Sequence, residues 1–212
     1  KKITKKAFSR LDDDIRSADL LEIRRSYILN SDQSHLKIAL DLLYDCKEFG
    51  TLAFAHAARA GFIAISLLKG LVSLKTLSEK QKNTFLNSLD TITRKFESDR
   101  FSYFKGDISR SECIKRYGHL RPGTYEIEME AYWEYPEKYI FYKLNQKPKN
   151  IKEGFPEEVN KNIQIILDEN NFGITSDEFL NYMKEAIRSR ELVKYKFTKN
   201  LSLALDYFVK FG

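Results

Sequence analysis

The chain is poor in the residues that build metal centres and covalent cross-links. It has two cysteines and three histidines in 212 residues. Cys46 and Cys113 lie far apart within helical patterns, which is not a disulfide framework, and a reducing cytoplasm is the simplest expectation. His35, His56 and His119 are too scattered for a metal site, and none is expected. There is no strand-rich block, no Gly-rich phosphate loop and no dinucleotide fingerprint. Zinc-finger spacing, an RNA-recognition aromatic motif and a helix-turn-helix signature are also missing. The one long apolar run, residues 53–74, carries His56, Arg59 and Lys69 among small residues, and reads as a buried helix rather than a membrane span. No signal peptide is visible. The chain opens on Lys1 rather than Met, so an excised piece or a processed start is expected.

What is present is helical periodicity and charge. The formal net charge is +6, but Lys1, Lys2, Lys5, Lys6 and Arg10 cluster in the first ten positions and Lys143, Lys147, Lys149 and Lys152 in a Pro-containing linker. Charge parked in a tail and a linker is a solvated surface, so no nucleic-acid partner is expected. Apolar residues at 3.6-residue spacing predict helices over 9–30, from a Ser31 or Asp32 cap to Phe49, and, after a break at Gly50 and Thr51, over 52–73. Capping boxes at Ser78, Ser109 and Thr175 open helices running to about Tyr103, to Tyr117 and to about Tyr195. A turn at Gly106, a helix over 157–170 closed by Asn171 and Gly173, and a final helix over 201–211 complete the pattern. The fold class is all-α, an irregular multi-helix bundle. Residues 1–144 form its main body, 145–156 a linker, and 157–212 a C-terminal lobe of the same domain.

Three places carry polar residues in a pattern that invites chemistry. Residues 117–128, Tyr-Gly-His-Leu-Arg-Pro-Gly-Thr-Tyr-Glu-Ile-Glu, crowd Gly, Pro, His and Arg together between helical blocks. Gly118 and Gly123 permit unusual backbone angles, and Pro122 disfavours helix at Arg121. The segment is either a shaped loop that aims His119 and Arg121 or a tight connection that caps its neighbours. On the small-residue helix that follows Gly50, Arg59 needs either a structural ion pair or a ligand anion. Arg190 and Lys194, four apart on one helical face, form either a two-cation clamp for an anion or a favourable charge at a helix C-terminus. The aromatic stretch 132–142 is either a stacking platform or ordinary packing.

Three motifs occur in order: Ala-Arg-Ala-Gly-Phe-Ile-Ala at 58–64, the His-Leu-Arg-Pro-Gly-Thr-Tyr loop, and Arg-Glu-Leu-Val-Lys-Tyr-Lys-Phe-Thr-Lys-Asn-Leu-Ser at 190–202. Together they resemble the helical middle region of bacterial phosphotransferases similar to phosphoenolpyruvate synthase and rifampin phosphotransferase. The resemblance covers residues 50–212, and it implies an acceptor-binding region flanked by two further domains. One is an ATP-grasp domain that would hold ATP and magnesium, and the other a swivelling domain with a phosphorylated histidine. AMP and phosphate would be the by-products, and the fragment alone would not turn over. The loop is closest to members encoded with surface-polysaccharide genes. That implies L-glutamine as acceptor, phosphorylated on its side-chain amide for a capsular phosphoramidate. Met129-Glu130-Ala131-Tyr132 replaces the basic residue and acidic pair of many relatives, which leaves the acceptor open. Pyruvate, an antibiotic hydroxyl and a sugar stand as alternatives, as does a non-catalytic helical scaffold. On this resemblance Arg190 and Lys194 would meet the transferred phosphoryl. His119, with a near-neutral pKa, would serve as base or orienting group. Arg59 and Arg121 would hold an acceptor carboxylate, and Glu126 would orient a cation or bind an α-amino group.

Overall fold

A computed structural model describes residues 2–123, 129–142 and 154–211, with the backbone alone over 2–9. The protein is all-α, and no strand occurs among the described residues. The helices are α1 (Lys2–Leu29), α2 (His35–Asp45), α3 (Thr51–Ser73), α4 (Glu79–Ser88), α5 (Ile92–Lys105), α6 (Arg110–Tyr117), α7 (Pro136–Tyr139), α8 (Glu157–Glu169) and α9 (Ser176–Phe211).

Everything is arranged along α9. Its first half packs with α3, α4 and α8 in the largest core, where Leu68, Phe85, Leu89, Ile163, Tyr182, Met183 and Ala186 are buried. At mid-length Val193 meets Ala18, Ala53 and Ala57. Farther on Ala204 meets Ile28, Ile38 and Leu42. The alanines of α3 explain its central place, because a nearly bare helix lets α1 and α9 approach closely. A fourth apolar cluster joins α5 and α6 to the aromatic segment through Cys113, Tyr117, Ile140 and Phe141.

Several expected boundaries move, each for a local reason. The break expected at Gly50 and Thr51 is instead a π-helical turn, Cys46–Gly50, through which α2 runs into α3. Thr51 Oγ1 donates to the Cys46 carbonyl across it. Gly50 is required there because a Cβ would lie 2.5 Å from the Phe197 ring. The cap of α2 is Ser34, not Ser31 or Asp32. The helix expected from Ser78 to Tyr103 stops at Ser88 and restarts under a Thr91 cap. Arg94 donates to the carbonyls of Asn87 and Ser88 (2.9 and 2.7 Å), satisfying acceptors that the end of α4 leaves open.

The separate final helix expected over 201–211, with Asn200 or Ser202 leading into it, does not occur, and both residues are interior. They lie inside α9, which is unbroken for 36 residues. Both are buried and spoken for by tertiary partners. Asn200 Oδ1 accepts from Arg25 (2.7 Å), and Ser202 Oγ donates to the His119 carbonyl (2.9 Å). The stretch His35–Ser73 is long and apolar enough to cross a membrane by length and composition. In this fold its α3 part supplies Ala53, Ala57, Ala60, Ala64 and Leu68 to the core.

Candidate functional site

The loop after α6 is held by backbone pairing. Trp133 N donates to the Gly118 carbonyl and Tyr132 N to the Leu120 carbonyl, each at 2.9 Å. Neither Gly118 nor Gly123 takes a positive φ, so conformational freedom is not what the first glycine supplies. A Cβ on Gly118 would sit 2.5 Å from the Ile114 carbonyl and 3.0 Å from Trp133 Cβ, and close approach is the reason for glycine. Asp99 fixes the end of α6 by accepting from Arg116 (2.7 Å) and from the Tyr117 hydroxyl (2.8 Å). Tyr195 of α9 ties the two together, its hydroxyl donating to the Arg116 carbonyl at 2.7 Å.

This anchoring places His119 and Arg121 opposite Arg190 and Lys194, and all four line one cavity of about 430 Å³. Its other walls are Phe96, Glu97 and Arg100 of α5, Tyr132 and Tyr142 of the aromatic segment, and Glu191 and Tyr195 of α9. Arg190 is aimed by α3. A Cβ on Gly61 would lie 2.6 Å from Arg190 Cδ, so the glycine leaves a seat for the arginine stem. The guanidinium then rests 4.7 Å from the centre of the Phe62 ring. Burial, and next the Arg190 charge, push the Lys194 pKa below the usual lysine range, while Glu191 pulls the other way. Glu191 also accepts from Thr93 N and Oγ1 in the first turn of α5 (3.3 and 3.4 Å), a carboxylate at a helix N-terminus.

His119 is 1% exposed, and neither ring nitrogen has a hydrogen-bond partner. Its ring meets Tyr195 edge-on at 4.7 Å between centroids. Burial, then the charges of Lys199 and Arg25, push its pKa down to about 3. The carbonyls of Tyr195 and Arg116 pull weakly the other way without hydrogen-bond geometry. The near-neutral pKa expected of His119 is therefore overturned by burial beside like charge. The imidazole is neutral at physiological pH and a poor proton acceptor.

Of the remaining sequence candidates, Arg59 falls elsewhere and Arg121 stays on the cavity wall. Arg59 is exposed on α3 and makes no ion pair among the described residues. It lines a separate groove of about 580 Å³ with Ala55, Ala58, Phe62 and Ile63. Arg121 donates to the Met129 carbonyl, and its Nε is buried without a partner. Glu126 lies outside the described residues, as do 143–153 of the linker region. No group of three or more His, Cys, Asp or Glu able to hold a metal occurs among the described residues.

Two cavity residues escaped sequence reasoning. Arg100, 2% exposed, donates to the carbonyls of Ile140 and Tyr142 (both 2.7 Å) and stacks 3.5 Å from the Tyr142 ring centre. It pins the aromatic wall, so the stretch 132–142 packs and lines the cavity at once. Glu97 is exposed on the same wall and makes no ion pair among the described residues. Its only sequence signal is the three-residue spacing to Arg100, which puts both on one face of α5. No family model, no curated protein and no solved structure matches the chain.

Proposed function

We propose that this chain is the acceptor-binding region of an ATP-dependent phosphotransferase of the phosphohistidine-shuttle type, with L-glutamine as the acceptor. The observation that carries the reading is convergence. His119 and Arg121 come from the loop and Arg190 and Lys194 from α9, yet all line one cavity. Phosphoryl transfer asks mainly for positioning and for cations around the equatorial oxygens, and Arg190 and Lys194 supply that charge. As the bond to the acceptor nitrogen forms, the bond to the donor histidine would break with its electron pair left on that imidazole, which would take up the proton that the acceptor nitrogen sheds. His119, neutral and with both ring nitrogens buried, backs the cavity wall rather than taking that proton. Arg121 brings its guanidinium to the same cavity as a contact for a carboxylate. Glu97 offers a carboxylate to an α-ammonium group. ATP, magnesium and the shuttle histidine belong in this reading to flanking domains, which are partners of the region.

The cavity volume of about 430 Å³ lies inside the range of small-molecule sites, about 300 to 1,000 Å³, and the charges of Arg121, Arg190 and Lys194 on its walls support a polar acceptor. One observation favours a second role, as a docking scaffold for those flanking domains or a partner protein. Leu20, Ile23 and Tyr27 are exposed at helical spacing on α1. Calorimetric titration with L-glutamine and with inorganic phosphate tests the acceptor reading. Saturable binding that Arg190→Ala and Lys194→Ala each weaken about tenfold or more is expected, as for a lost charge-assisted contact. A folded chain that binds neither compound refutes it.

A further inference from the structure

By its charge Glu191 is out of place. It lines the cavity with Arg190 and Lys194, and a carboxylate there repels the anion that the two cations would attract. Its hydrogen bonds account for the position. Glu191 Oε2 accepts from Thr93 N (3.3 Å) and from Thr93 Oγ1 (3.4 Å), so α9 is tied to the first turn of α5. The Thr91 side chain caps that turn at Arg94 N (3.4 Å), and Glu191 takes a first-turn donor that the cap leaves open. Thr93 itself lines the cavity, as do Phe96, Glu97 and Arg100 farther along α5. Arg100 in turn holds the carbonyls of Ile140 and Tyr142. One carboxylate thus joins the helix that bears the cations to the helix that bears another wall.

We propose that Glu191 is a positioning residue, whose carboxylate fastens the cation-bearing face of α9 to the first turn of α5 and so sets the span between Arg190, Lys194 and the wall of Phe96, Glu97 and Arg100. This role rests on the cavity's binding an anion, and adds to it a residue that does not touch that anion. The partial positive charge of the α5 N-terminus offsets the carboxylate and so moderates the repulsion. A second effect runs through Lys194. Burial and the Arg190 charge push its pKa down while Glu191 pulls it up, so the carboxylate helps the ammonium stay protonated. Charge and position then make opposite demands on a substitution. By charge alone, any neutral residue at 191 tightens anion binding. By position, only a residue that still accepts from Thr93 preserves it.

Calorimetric titration of inorganic phosphate into the unaltered chain, Glu191→Gln and Glu191→Ala, from neutral to alkaline pH, separates the two. Glu191→Ala is expected to weaken phosphate binding about tenfold, because small misplacements of a contact are costly. Glu191→Gln keeps an oxygen acceptor for Thr93 and is expected to stay within about threefold of the unaltered chain at neutral pH. Its affinity should begin to fall at a lower pH, since Lys194 loses the charge that keeps it protonated. A residue that only stabilised the fold would lower the urea midpoint and move neither the profile nor the affinity of the folded chain. Should the alanine variant fail to fold, Thr93→Val decides. It removes the hydroxyl donor, leaves the Glu191 charge in place and is expected to weaken phosphate about threefold. Tighter or unchanged phosphate binding in Glu191→Ala, or in Thr93→Val where that variant decides, overturns the positioning role, as does an equal loss in Glu191→Gln. Phosphate binding that Arg190→Ala still weakens in that case leaves the anion-site reading standing. Phosphate failing to bind the unaltered chain overturns both.

Discussion

Gly61→Ala is the sharpest single perturbation of the account, because it touches the cavity only through the seat of Arg190. The new methyl would stand 2.6 Å from Arg190 Cδ, 3.1 Å from Cβ and 3.4 Å from Cγ. The Cδ contact is short of ordinary contact by roughly 0.8 Å, in an interior packed to crystal density. A rotamer change can carry Cδ away but not Cβ, so α9 must also shift slightly off α3. Overpacking of this kind costs about 1–3 kcal/mol. Replacing glycine by alanine inside a helix returns roughly 0.5–1 kcal/mol. The net expectation is a loss of about 1–2 kcal/mol in urea unfolding. Losing Arg190 from its place over Phe62 also removes one charge-assisted contact, worth about 1.5–3 kcal/mol, or tenfold or more in phosphate affinity. Gly70→Ala is the internal control. It lies on the same helix with nothing within 4 Å of the added methyl, and should stabilise by about 0.5–1 kcal/mol. The reasoning fails if Gly61→Ala is as stabilising as Gly70→Ala and leaves phosphate affinity unchanged.

Further expectations concern charge and burial. The His119 pKa of about 3 in the fold lies below the ordinary 6.5 of the unfolded chain. Its contribution is therefore complete above pH 6.5 and is lost as pH falls toward 3. Between pH 6.5 and 4.5 this removes about 2 kcal/mol, and pH-dependent urea melts of His119→Gln should lack that loss. Lys194 is pushed below the usual lysine range, so phosphate affinity should fall as pH rises through its lowered pKa. Lys194→Arg should remove that inflection, and calorimetry across alkaline pH checks it. Asn200→Ala strips buried Arg25 of its 2.7 Å acceptor and should cost about 2–3 kcal/mol in urea unfolding. The pair Arg25→Leu with Asn200→Leu should recover part of that loss.

Local chemistry was well written in the sequence. Ser78 with Gln81, Ser109 with Glu112 and Thr175 with Glu178 open helices where their spacing predicts. Asn171 and Gly173 close α8 with positive φ values of 53° and 64°. Legibility fails where a tertiary partner decides. Asn200 and Ser202 look like cap residues until Arg25 and the loop backbone are seen to claim them. Gly50 looks like a breaker until Phe197 is seen to press against it. The same divide runs through the cavity. Its cations were legible as two separate motifs, whereas Arg100 and Glu97 carry no motif, since α5 meets the loop and α9 only in three dimensions. His119 stood out by residue type, but its depressed pKa comes from burial and from Lys199 and Arg25, which no local pattern reveals.

The central claim is that the cavity receives an acceptor for a phosphoryl group. ³¹P NMR of the whole gene product, incubated with ATP, magnesium and L-glutamine, tests it most directly. The account predicts a new phosphoramidate signal appearing with AMP and inorganic phosphate, and its loss in Arg190→Ala and Lys194→Ala. AMP and phosphate without that signal would contradict the glutamine assignment. An intact ATP spectrum with every acceptor tried would contradict the phosphotransferase reading itself.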